Sequence, residues 1–455
     1  MDWKSYLREQ QQRVVDELLA FIRIPSVSAL PAHADDVAAA GAWVHARLEA
    51  AGVEHVQTLP TGGHPVVYGD WLHAPGAPTV LIYGHFDVQP AMFEDGWSHP
   101  PFEPRLADDR IYARGASDDK GNMFAPVIAV EALLRTGGAL PVNVKFLLEG
   151  QEEIGSPQLA GFVRSQRELL ACDFALSADG SQWSETVPTL LLSLRGICAL
   201  QVDVTGPAVD MHSGIYGGTI HNPLHALAEL IAGLHDADGR VAVDGFYDDV
   251  VEPTPEQRRQ YARVPFDEPA YLASTGVPAL YGEAGWSTYE REWIRPTLEV
   301  NGLWGGFQGA GTKTVLPASA HAKITCRLVA GQQPARILDL VAGHLTRHAP
   351  VGARVSCTAS EVHGAPYSVP ADHPGNRAAA RVLERLYGVP PLHTGSGGSI
   401  PVCGLLHEEL GIHTIGFSFA LDDEGAHGPD EFFRLASFRR AQEAYCLILQ
   451  ELSAV

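Results

Sequence analysis

The chain reads as an α/β protein with one discontinuous domain, into which a smaller two-layer α+β domain is inserted. Three observations predict this. Up to about Leu194, short apolar runs end in small or charged residues and alternate with stretches of helical periodicity, the pattern of strands buried between helices. From Arg195 the strands alternate as half-buried strands do, in a β-α-β-β-α-β order with an insertion. From Pro370 the first pattern returns. The expected division is 1–194 and 366–455 for the discontinuous domain and 195–365 for the inserted one.

The bulk properties exclude several classes. A chain of 455 residues exceeds one compact core, so two or three domains are expected. With 45% hydrophobic and 19% charged residues it is an ordinary globular composition. The net charge of −22 argues against nucleic acid, which needs a positive surface. Six scattered cysteines, with no CxxC pair, read as small buried hydrophobes in a reducing compartment. The start Met1-Asp2-Trp3-Lys4 opens a polar helix rather than a signal peptide, and no apolar run approaches the roughly 18 to 20 residues of a membrane span. A cytoplasmic protein without membrane contact is expected.

Along the chain, Val14, Leu18, Phe21 and Ile22 recur at helical spacing within Tyr6–Ile24, and Pro25 closes the run. A second amphipathic helix spans Asp35–Ala51 and stops at Gly52. Strands are expected at His55–Leu59, Val66–Trp71 and up to His85, then a loop over Trp97–Pro104, a strand from Arg110 and a helix at Met123–Leu134. Further strands are Asn143–Leu148 and Cys172–Ser177. The inserted domain offers strands near Arg195–Val204, Thr297–Leu303, Ala320–Val329 and Arg354–Glu361. Its helices are Asn222–His235, with Pro223 at the first position, Pro255–Ala262 and Pro334–His348. The last part gives helices at Asn376–Leu386, Ser399–Glu408 and Glu431–Leu452 and strands at Pro391–Thr394 and Thr414–Phe417.

Chemistry gathers at the strand ends. His85 and Asp87 come after one buried strand, Glu152 and Glu153 after another and Asp179 after a third, while Asp118 lies between a strand and a helix start. Ligands of open α/β sheets bind at these carboxyl ends. Singly each residue has a plainer role: His85 as a structural histidine, Asp118-Asp119 as a helix cap. Repetition over four segments favours a site. Two adjacent carboxylates repel one another unless a cation offsets them. Imidazole and carboxylate donors suit two divalent metals roughly 3.5 to 4 Å apart, with a spare glutamate to move a proton.

His85-Phe86-Asp87, Gly115–Gly121, Glu152-Glu153, Asp179, Asp210-Met211-His212-Ser213-Gly214, Gly311–Pro317 and Gly425-Ala426-His427 together resemble the M20 metallopeptidase family, nearest to its carnosinase-like cytosolic dipeptidases. The resemblance implies a discontinuous zinc-peptidase-like catalytic domain with an inserted lid and dimerisation domain. It implies that Asp118 bridges two metals, with His85 and Asp179 on one and Glu153 and His427 on the other. Glu152 would activate a metal-bridging water as base and then act as acid, and Asp87 would orient His85. The peptide after Asp118 would be cis. His212 would reach a partner subunit's site in a homodimer, and Arg327, with Gly398 and Ser399, would hold the substrate carboxylate. The metals would be zinc, with manganese as the alternative. His99, His221 and His321 have no assigned part.

The chain departs from that branch at Gly395-Ser396, where the branch carries charged residues before the Gly-Gly-Ser-Ile-Pro turn. That departure weighs against strict dipeptide specificity and toward longer peptides or N-acylated amino acids. On the motifs as a whole the first reading is a hydrolase of dipeptides or short peptides, a dipeptidase or carboxypeptidase. The alternative is a deacylase of N-acyl amino acids of the acetylornithine or succinyl-diaminopimelate type. A carbamoylase and a non-catalytic amino-acid-binding protein are the remaining readings.

Overall fold

The computed structural model describes residues 1–398 and 400–454, without the side chains of Glu361, Val362 and Pro401. The chain forms two compact units. The first comprises Met1–Leu192, Val369–His393 and Pro401–Val455; the second comprises Ser193–Ser368 and Thr394–Ile400. The segment Thr394–Ile400 thus groups with the second unit, although its neighbours in sequence belong to the first.

The first unit is built on a six-stranded mixed sheet in the order Glu54–Leu59, Val66–Trp71, Asn143–Glu149, Thr79–His85, Phe174–Ser177, Thr414–Gly416. In that order the first strand is antiparallel to the second and the second to the third, and the last four are mutually parallel. Thr79–His85 and Asn143–Glu149 are buried at every position after the first residue of each, as expected of strands covered on both faces. Helices Trp3–Ile22, Ala34–Ala51 and Leu435–Leu452 pack against the central helix Asn122–Gly137. That helix lies close on the His85 strand. A Cβ on Gly84 would stand 2.6 Å from the Met123 Cβ and 2.9 Å from an Asp119 carboxylate oxygen, so only glycine permits the approach.

The second unit contains a four-stranded antiparallel sheet ordered Thr297–Gly305, Ser319–Leu328, Gly196–Thr205, Arg354–Gly364. Along Gly196–Thr205 burial alternates strictly, and Cys198, Leu200, Val202 and Val204 face a core shared with Leu227 and Leu230 of helix Pro223–Ala232 and Ile337, Val341 and Leu345 of helix Pro334–Arg347. Asn222 caps the first of these helices by accepting the Leu224 N–H at 2.9 Å.

Several elements differ from the sequence expectation. The closing helix starts at Leu435 rather than Glu431, because Phe432–Arg434 pairs as a strand with Arg110–Tyr112. Arg434 is fixed there by Asp423 and Glu424. The region 237–296 holds two further short helices, Glu268–Thr275 and Thr288–Trp293. Ser287 and Glu290 form a capping box on the second, a spacing already present in the sequence. Helix Pro223–Ala232 is shorter than expected, ending before Gly233. No described helix is long and apolar enough to cross a membrane.

Candidate active site

Three neighbouring parallel strands deliver their carboxyl ends to one place in the first unit. His85 closes the central strand and pairs in register with Glu149, which leads into the turn carrying Glu152 and Glu153. On the other side Phe174–Ser177 leads to Asp179. Asp118 arrives from the kinked turn Ala116–Gly121 ahead of the central helix, where the Asp118–Asp119 peptide is cis. His427 comes from the chain's last part and adopts a left-handed backbone, φ +63°.

These residues form two groups that share Asp118: His85, Asp118 and Asp179, and Asp118, Glu153 and His427, the ligand atoms of each group lying within 4.8 Å of one another. The sharing is built into the carboxylate. Asp118 Oδ1 lies 3.1 Å from His85 Nε2, and Oδ2 lies 3.0 Å from His427 Nε2. His427 Nε2 is also 3.2 Å from Glu153 Oε2. Each oxygen of one carboxylate therefore faces a different imidazole. The donors are nitrogen and oxygen only, a set that suits hard or borderline divalent cations.

Packed together, these groups displace one another's protonation. Burial, reinforced by Asp179, Glu153 and Glu149 against the opposing pull of His85, pushes Glu152 up to about 9. Burial and then Asp118 push Asp179 up to about 7. Asp118 goes the other way: burial works against its ionisation, but His427 and His85 hold it below the usual carboxylate range. Asp118 and Glu153 raise His427 to about 10. Glu152 belongs to neither three-residue group, yet its acidity responds to members of both.

Asp87 is fully buried, and its role in the structure is wider than orienting His85. Its backbone carbonyl, 3.1 Å from His85 Nδ1, is closer to the ring than its carboxylate at 3.4 Å. Its two carboxylate oxygens accept the backbone N–H groups of Glu152 and Glu153, each at 3.1 Å. One side chain thus fixes the histidine and the paired glutamates together.

Other residues around the cluster had no signal in the sequence. Gln89 donates to Glu153 Oε2 at 2.7 Å. Asp119 accepts the His85 N–H at 3.1 Å. Glu149 accepts from Tyr83 at 2.6 Å and Ser156 at 2.9 Å. Asp119 and Glu149 are buried polar groups that need a partner, which becomes visible only once the strands are aligned.

The remaining candidates lie in the second unit. His212 is exposed at the end of a two-residue strand paired with Val315, and its Nδ1 accepts the Gly214 N–H at 3.0 Å. Arg327 lies on the sheet face away from the helices, and its guanidinium has no hydrogen-bond or ion-pair partner among the described residues. It stands near enough to Arg195 to help burial lower that guanidinium to about 10. Gly398 donates its N–H to Ser396 Oγ at 3.0 Å, and Ser399 lies outside the described residues. Gly395 is enclosed: a Cβ there would stand 2.6 Å from both Ser193 Oγ and the Trp293 Cβ.

Comparison with known proteins bears on the whole chain. Residues 81–451 match the model of peptidase family M20/M25/M40. The chain is 32% identical over 396 residues to a Cys-Gly metallodipeptidase of Schizosaccharomyces pombe, covering 86% of this chain and 83% of that protein. Among solved structures it is similar to an M20 metallo-carboxypeptidase of Sulfolobus solfataricus, with TM-score 0.83, 29% identity and coverage of 97% and 99% of the two chains. It is also similar to human carnosine dipeptidase 1, with TM-score 0.78, 27% identity and coverage of 100% and 98%. The mixed α/β fold is that of these peptidases. On family match, relatives and fold together, the chain belongs to peptidase family M20/M25/M40 and is a metal-dependent peptidase.

Proposed function

We propose that this chain hydrolyses the amide bond of dipeptides or short peptides at a two-metal site, with Glu152 as the proton-transferring residue. The observation that carries the reading is the Asp118 carboxylate, which turns one oxygen to each of two ligand groups while Glu152 stands outside both. His85, Asp118 and Asp179 would hold one ion and Asp118, Glu153 and His427 the other. Bound there, two divalent cations supply Lewis acidity and make the attacking water more acidic. Zinc is the ion proposed, with manganese as the alternative, because the donors are imidazole and carboxylate.

Glu152 takes the proton of the attacking water as its oxygen adds to the scissile carbonyl, and returns it to the nitrogen as the C–N bond breaks. Positive charge beside Glu152 would bring its pKa back down from about 9 into the range where a carboxylate acts as base near neutral pH. Asp87 holds the Glu152–Glu153 turn and His85 in mutual register through its three contacts.

The substrate carboxylate would be bound by the Arg327 fork with the turn at Gly398 and Ser399, which fits a guanidinium without a partner among the described residues. His212 would act on the oxyanion in the site of a partner subunit, making the working unit a homodimer. In this reading the first unit is the catalytic domain and the second the lid and dimerisation domain. Six free cysteines accord with a reducing, cytoplasmic setting. The relatives named above are peptidases by name, so the peptidase reading is preferred to the deacylase.

The test is to strip the protein with chelator, restore zinc or manganese, and measure amine release from dipeptides, tripeptides, N-acetyl and N-carbamoyl amino acids. Metal-dependent release from peptides with a free amino end, abolished in Glu152→Gln with metal content unchanged, is expected. Release confined to acylated substrates would replace this function with the deacylase, and full turnover by Glu152→Gln would remove the base assignment.

A further inference from the structure

We propose that Glu431 is a positioning residue for the second metal group, fixing Asp118 and His427 in a single arrangement through its own carboxylate and Arg114. The inference rests on the ligand set proposed above.

Glu431 is fully buried and touches none of the proposed ligand atoms, yet its carboxylate is saturated with donors from the segment that carries Asp118. Oε1 accepts the backbone N–H of Ser117 at 2.9 Å and of Asp118 itself at 3.1 Å. Oε2 accepts the backbone N–H of Gly115 at 2.9 Å and Arg114 Nη1 at 2.8 Å. Three backbone amides of the 115–118 segment therefore point at one side chain. A loop whose amides converge on an anion adopts one conformation as long as that anion stays in place.

The same pair reaches the other ligand. Arg114 Nη2 donates to the backbone carbonyl of His427 at 3.0 Å. Asp118 is thus held by its own N–H and His427 by its own C=O, and both bonds lead to the Glu431–Arg114 ion pair. Glu424 braces the loop from another direction by accepting the Ser117 hydroxyl at 3.0 Å, but it makes no bond to Asp118 or His427 among the described residues. Hydrogen-bonding partners one step removed from a metal commonly govern its affinity by about 10–100-fold. Glu431 occupies that place for Asp118 directly and for His427 through Arg114.

A glutamine keeps the shape of Glu431 but offers one acceptor where two are used and turns an NH2 toward backbone donors. The experiment measures metal dissociation constants of wild type, Glu431→Gln and Asp118→Asn by competition with a chromophoric chelator. The visible spectrum of the Co(II) forms reports ligand arrangement, and circular dichroism reports folding. Glu431→Gln is expected to weaken binding of one ion by about 10–100-fold, change the Co(II) spectrum and lower kcat at limiting metal more than KM. If Glu431→Gln does not fold, Glu431→Asp, which keeps the charge but withdraws it by one methylene, is read in the same way. Metal affinity and Co(II) spectrum equal to wild type, with only thermal stability reduced, would overturn the inference and leave Glu431 a structural anchor. Unchanged metal binding in Asp118→Asn would overturn the ligand set itself, and the inference with it.

Discussion

Replacing Asp87 by asparagine tests whether one carboxylate ties the site together. The wild-type group is fully buried and accepts two backbone N–H bonds, from Glu152 and Glu153, each at 3.1 Å. Asparagine offers a single oxygen, so one bond remains in a weaker, uncharged form and the other amide meets an NH2 donor. Weakening the first costs about 1 kcal/mol, and leaving a buried N–H unsatisfied costs about 1–3 kcal/mol, giving about 2–4 kcal/mol in all. That is a large part of the roughly 5–15 kcal/mol by which folded domains are stable, but it does not exceed it. Urea denaturation of the metal-free variant, monitored by circular dichroism, should therefore show a folded protein with a lower midpoint and an unchanged slope. The turn carrying Glu152 and Glu153 would lose its register, so metal affinity or kcat should fall by about 10–100-fold. A midpoint within error of wild type together with full metal affinity would refute the argument, since it would mean that neither N–H depends on the carboxylate.

The same geometry sets three further outcomes. Glu152, Asp179 and His427 all have pKa values displaced upward, to about 9, about 7 and about 10, so each contributes stability at low pH that disappears as pH rises through those values. The metal-free protein should thus lose thermal stability between about pH 5 and 10 while the metal-loaded form loses less, and a difference between the two that does not grow with pH would contradict this. Arg327→Lys keeps a charge but loses the planar fork, and should raise KM for dipeptides by about tenfold or more with kcat nearly kept; steady-state kinetics with an unchanged KM would remove Arg327 from the carboxylate site. Gly395→Ala must displace Ser193 or Trp293, which approach the added carbon to 2.6 Å, and should cost about 1–3 kcal/mol in denaturant unfolding. A Gly395→Ala protein as stable as wild type would show that the enclosure yields without strain.

Most of the elements, and the chemistry they carry, are local properties of the chain. An apolar run of fixed period forms the same strand in any register-compatible fold, so Val66–Trp71 and Asn143–Glu149 were legible, as was the alternation of Gly196–Thr205. Donor types at strand ends are equally local, and they singled out His85, Asp118, the Glu152-Glu153 pair and Asp179; the family resemblance added His427 and chose Glu153 as the ligand, and the structure brings His85, Asp118, Glu153, Asp179 and His427 together in two groups. Their number and order, matched to known motifs, were enough for the family. Which oxygen of Asp118 faces which imidazole emerges on folding, because His85 and His427 lie far apart in the chain. The tertiary structure alone gave Asp87 the amides of Glu152 and Glu153, and Glu431 those of Gly115, Ser117 and Asp118. It also turned Phe432–Arg434 from helix to strand, since pairing with Arg110–Tyr112 outweighs local propensity. Periodicity reports which face of an element is buried. Hydrogen bonds from a buried carboxylate to distant amides obey no spacing, and so exist only once the fold has placed them.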